Sequence, residues 1–95
     1  MSMEHDFSSG NPLKVTCGAT STQLIAANEG RKYLVLVNDS NEVIYASLGS
    51  AAVMNQGIRV NANGGSYEIS GERPFRGAIY GICASGGKNV AYFEA

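Results

Sequence analysis

Tryptophan is absent from these 95 residues, histidine occurs once, and cysteine and proline occur twice each. Each shortage removes a class of function. The single histidine, His5, lies in a stretch that precedes any recognisable strand, so a Ser/His/Asp or Cys/His arrangement would have to be assembled from a tail. A histidine-based metal site fails for the same reason. Cys17 and Cys83 are too far apart for a CxxC pair and each has apolar neighbours. Two buried free thiols are therefore expected, unless their strands prove to be adjacent. Charge is scarce as well. Seven basic and eight acidic residues give a net −1, and no Lys/Arg cluster exceeds the pair Arg31-Lys32, so nothing offers a footprint for nucleic acid or anionic lipid. Long apolar runs are missing: none approaches the roughly 20 residues that cross a bilayer, and residues 1–11 lack the apolar centre of a secretion signal. Synthesis in the cytoplasm, with neither membrane nor nucleic acid as partner, is the expectation.

What is present describes a small folded unit. A hydrophobic fraction of 44% is well clear of the disordered regime, while a length of 95 supports one core and no more. With only 16% charged residues the surface is lean for a lone soluble molecule, which points to a partner surface.

Residues 1–12 form a flexible N-terminal arm that ends in Gly10-Asn11-Pro12, and 13–95 form the domain. Within the arm Met3 and Phe7 are candidates to dock on a neighbouring subunit, against the plainer reading of a frayed end. Strands are expected at 13–17, 23–26, 33–37, 43–48, 58–60, 66–70, 77–84 and 89–94, each short, rich in β-branched or aromatic residues, and bounded by Gly, Asn, Asp or Ser. The run Tyr33 to Val37 is unbroken apolar, and Asn38-Asp39-Ser40-Asn41 after it carries side chains that bond their own backbone. Residues 31–48 thus read as a hairpin around which the rest is organised. Residues 77–94 read as a second hairpin, turning at Ser85-Gly86-Gly87-Lys88. Asn63-Gly64 favours positive φ between the strands at 58–60 and 66–70. Pro74 marks 71–76 as an irregular crossing, since it has no N–H for a ladder. The fold class is all-β: an antiparallel β-sandwich or small barrel of 7–9 short strands.

Motifs for chemistry are weak. Residues 81–89 look like a phosphate loop but have one residue too many before Lys88 and Asn89 where Ser or Thr would bind magnesium; a hairpin turn explains them better. The acidic residues are spread singly, as solvated surface groups are. No catalytic residue, cofactor or metal is assigned. Arginine beside aromatics is an interface signature, so Arg59, flanked by core positions Ile58 and Val60, and Arg73 and Arg76, flanking Pro74-Phe75, join the candidate interface. The plain alternatives are solvent-facing charges and a Phe75 that caps the core.

The order Arg31-Lys32-Tyr33-Leu34-Val35-Leu36-Val37-Asn38, Val43-Ile44-Tyr45, Gly57-Ile58-Arg59-Val60, Gly64-Gly65-Ser66-Tyr67-Glu68-Ile69, Gly77-Ala78-Ile79-Tyr80 and Ala84-Ser85-Gly86-Gly87-Lys88-Asn89-Val90 resembles small all-β structural modules of tailed bacteriophages. The resemblance covers roughly residues 22–93. It implies a non-enzymatic virion protein, above all a capsid decoration (cement) protein. Such a protein binds itself as a homotrimer and the major capsid protein or another virion protein, with the arm and loop 72–76 as contacts. Tail, neck or fibre components share the pattern. A carbohydrate-binding, adhesin-like module is the reading from another class, because Tyr33, Tyr45, Tyr67, Tyr80 and Tyr92 offer stacking faces.

Overall fold

The computed structural model describes residues 10–95, so Met3 and Phe7 lie outside the described residues. Among the described residues eight strands form and no helix: β1 (Asn11–Cys17), β2 (Thr22–Ile25), β3 (Leu34–Asn38), β4 (Ile44–Leu48), β5 (Ile58–Val60), β6 (Gly65–Ile69), β7 (Ile79–Ile82) and β8 (Lys88–Glu94). They make two four-stranded antiparallel sheets, ordered β1-β8-β3-β6 and β2-β7-β4-β5. The result is a sandwich. Its strand order is that of an eight-stranded jelly roll, in which successive strands occupy matching positions in opposite layers. Strand pairing begins at Asn11, inside the expected arm, with Asn11 opposite Glu94 and Pro12 opposite Phe93. Proline is tolerated there because β1 is an edge strand with one side free of ladder bonds.

Neither expected hairpin forms. β3 lies in the first sheet between β8 and β6, whereas β4 lies in the second between β7 and β5. β7 and β8 are likewise in different sheets. The turn chemistry is real but serves a corner between layers. Asn38, fully buried, donates through Nδ2 to the carbonyls of Glu42 at 2.6 Å and of Val60, on the opposite sheet, at 3.1 Å. Ser40 Oγ donates to Asn38 Oδ1 at 2.6 Å. At the second corner Gly86 and Gly87, at φ 75° and 65°, reverse the chain from one layer to the other, a conformation glycine adopts without a Cβ penalty. Only β4 and β5 are consecutive strands that pair with each other.

Alternation along each strand fills the space between the sheets. Leu34, Leu36 and Asn38 of β3, with Val90 and Tyr92 of β8, face Ile44 and Ala46 of β4 and Ile79 of β7 across the core. Ile58 and Val60 point inward and Arg59 outward; Tyr67 and Ile69 also pack inward, each as expected. Burying an aliphatic side chain of this size contributes about 1.5–3 kcal/mol, so the nine buried Leu, Ile and Val residues of the core supply the main drive to fold.

Arg31 is buried completely. Its Nε donates to Glu94 Oε2 at 2.7 Å, Nη1 to the carbonyls of Phe75 at 2.8 Å and Gly77 at 3.2 Å, and Nη2 to that of Ala26 at 3.0 Å. Arg76 Nε returns a bond to the Arg31 carbonyl at 2.9 Å. One guanidinium thereby ties the β2–β3 connection, the β6–β7 crossing and the end of β8 together.

Candidate interaction surface

A half-buried strand places apolar residues inward and polar ones outward. Sheet β1-β8-β3-β6 departs from that on its outer face. The register stacks two outward rungs across it, Pro12–Phe93–Val35–Glu68 and Lys14–Ala91–Val37–Ser66. Each rung is apolar in its middle. Charge stands at the borders, Lys14 on β1 and Glu68 on β6. Between them lies a groove of about 650 Å³ to which Pro12, Val35, Val37, Ala91 and Phe93 contribute. At one end Tyr33 meets Phe93 edge-on, with ring centroids 6.5 Å apart and planes at 63°. Its hydroxyl bonds to the Glu68 carboxylate, which favours the neutral phenol and raises the Tyr33 pKa above its ordinary 10.0.

The signal for this face is in the sequence, in the unbroken run 33–37 and in Ala91-Tyr92-Phe93. Strands apolar on both sides belong to sheets covered on both sides. Among the described residues no helix or further strand covers this one.

The residues singled out from sequence are placed elsewhere. Arg59 is exposed on edge strand β5, opposite Tyr45, where its Nη1 donates to the Tyr45 hydroxyl at 3.1 Å and its Nε to Asn61 Oδ1 at 2.9 Å. In loop 72–76 Arg73 is exposed, but Pro74 is buried and Phe75 packs against the core. Its ring is against Gly49 and Gly77 so closely that a Cβ at Gly77 would stand 2.6 Å from Phe75 Cζ. Phe75 closes an end of the sandwich, and Arg76 is engaged with the Arg31 carbonyl. The structure thus joins Phe75 and Arg76 to the Arg31 network and leaves Arg59 and Arg73 as separate surface charges.

Nothing in the described residues groups three or more His, Cys, Asp or Glu side chains as a metal site would. Glu42 is drawn below its usual range; the Ser85 hydroxyl, at 2.5 Å, is the main cause and the Ser85 amide, at 3.0 Å, the second. Its role is to fasten the two inter-layer corners to each other. No protein-family model, curated protein or solved structure matches the chain.

Proposed function

We propose that the chain is a non-enzymatic structural protein of a virion, a decoration protein that binds the head shell as an oligomer. The observation that carries this reading is the apolar outer face of sheet β1-β8-β3-β6. Val35, Val37, Ala91 and Phe93 on that face are half-buried, and a contiguous apolar face rimmed by charge is characteristic of an association site, where repeated copies on a lattice turn weak contacts into firm attachment. The low overall charge and the resemblance of residues 22–93 to phage modules support the same reading. The tyrosines give little to a sugar-binding alternative: Tyr67 and Tyr92 pack on the core, Tyr33 lies edge-on to Phe93, and the Tyr45 hydroxyl is held by Arg59.

The test is to mix the purified protein with expanded, undecorated heads built from the major capsid protein encoded alongside it, and to image them. Ordered density at the three-fold positions is expected for the wild type. Val37→Lys, which places a charge in the middle of an outward rung, is expected to melt at the wild-type temperature and to leave the heads bare. Bare heads with the wild type, or density on tails and necks alone, would overturn the decoration reading.

A further inference from the structure

Cys17 ends β1 in one sheet, and Cys83 follows β7 in the other. Both thiols are free and both are fully buried. Their backbones are tied directly: Cys83 N–H donates to the Gly18 carbonyl at 3.1 Å. Cys83 Sγ lies 3.4 Å from that oxygen and 3.5 Å from the carbonyl oxygen of Cys17 itself. Cys17 Sγ lies 3.8 Å from the same Gly18 oxygen, so both sulfurs sit against one carbonyl, and a disulfide asks only that the two Cα atoms come within roughly 4.4–6.8 Å. Burial, and next the neighbouring Cys83 sulfur, push Cys17 up to about 12. The fold thus brings together two cysteines that lie 66 residues apart in the sequence.

We propose that Cys17 and Cys83 are a latent inter-sheet disulfide, open in a reducing compartment and closed by a disulfide oxidant of the glutathione class. One cysteine, as thiolate, attacks a sulfur of glutathione disulfide and expels one glutathione thiolate. The second cysteine gives its proton to solvent, attacks the mixed disulfide at the protein sulfur and expels the other. Two protein thiols and one glutathione disulfide thus become one protein disulfide and two glutathione thiols. The bridge pins edge strand β1, whose ladder partner is β8 alone, to the opposite layer. A metal is a poorer use of the pair, since no third ligand group gathers there among the described residues.

Burial sets when the bridge closes. Both cysteines are wholly buried, so a bulky oxidant reaches them slowly in the folded chain and readily while the chain is folding.

The test compares reduced protein refolded from urea in glutathione disulfide with folded protein held in the same oxidant, both quenched in acid and mapped without reduction. In the refolded sample a loss of about 2 Da and a peptide joining Cys17 to Cys83 are expected. The folded sample should reach the same product more slowly, gaining about tenfold in rate per unit of pH. The bridged form should melt several degrees above the reduced form, and Cys83→Ala should show no oxidant-dependent shift. Should that variant fail to fold, the wild-type map decides alone. Two persistent thiols, glutathione adducts that never resolve, disulfide-linked dimers, or a bridged form that melts lower would each overturn the proposal.

Discussion

The guanidinium of Arg31 is taken wholly out of water, yet it stands in the β2–β3 connection, where an arginine ordinarily faces solvent. Burial of a charge is tolerable only when partners replace its hydration, and here a carboxylate and three backbone carbonyls do so. Arg31→Met should therefore cost about 3–5 kcal/mol, because it strands Glu94 and the carbonyls of a crossing loop. That is a large part of the roughly 5–15 kcal/mol available to a domain of this size, so the urea midpoint should fall steeply. Lysine would not rescue it, since one ammonium cannot span four acceptors. Glu42 makes a different demand. Its folded pKa is held below the ordinary 4.5 by the Ser85 hydroxyl and amide, so its contribution is present above that value and is lost as pH falls through the folded one. Glu42→Gln should melt below the wild type at neutral pH, and the gap should close as acid protonates the wild-type carboxylate.

β4 and β5 meet through a connection whose last residue is Gly57, at φ 83°. A Cβ there would stand 2.7 Å from the Ala46 carbonyl oxygen, part of the strand that β5 must pair with. Gly57→Ala combines a left-handed backbone, worth about 1–2 kcal/mol for an L-residue, with a backbone clash that can be relieved only by displacing β5. Gly64, at φ 105° with open space around it, has the first cost without the second. A fall in melting temperature distinctly larger for Gly57→Ala than for Gly64→Ala is the expected result. β3 and β8 carry the other consequence of strand chemistry. Each was legible as a strand, and the apolar character of both its faces was legible too. Which face would be left outward depended on the partners it found. Val35 and Phe93 are surface residues only because Leu34 and Tyr92, one step along, took the core.

Among the described residues pairing is almost entirely between strands distant in sequence, since only β4 and β5 are consecutive partners. Loop closure must precede nearly every ladder, and folding in the range of about milliseconds to seconds is expected for such topology. Stopped-flow refolding from urea should show it, with microsecond refolding as the contrary result. β8 is the last strand in sequence, yet it sits between β1 and β3. Removing residues 88–95 should abolish the cooperative melt rather than lower it, as followed by circular dichroism, because β1 loses its ladder partner and Arg31 its carboxylate.

Short-range patterning by itself determined where the eight strands lie to within a residue or two, which side chains of β5 and β6 turn inward, and that Asn63-Gly64 and Gly86-Gly87 reverse the chain. Those features are written within a few neighbouring residues, in period-two alternation and in the φ that a residue tolerates. Only the tertiary structure decided that residues 31–48 and 77–94 cross between layers, that Arg31 lies inside, and that Cys17 and Cys83 come together. Alternation fixes which side of a strand is apolar but not which strand lies beside it. Many distant segments offer the same apolar stripe, and the choice among them is made by the packing of the whole sandwich.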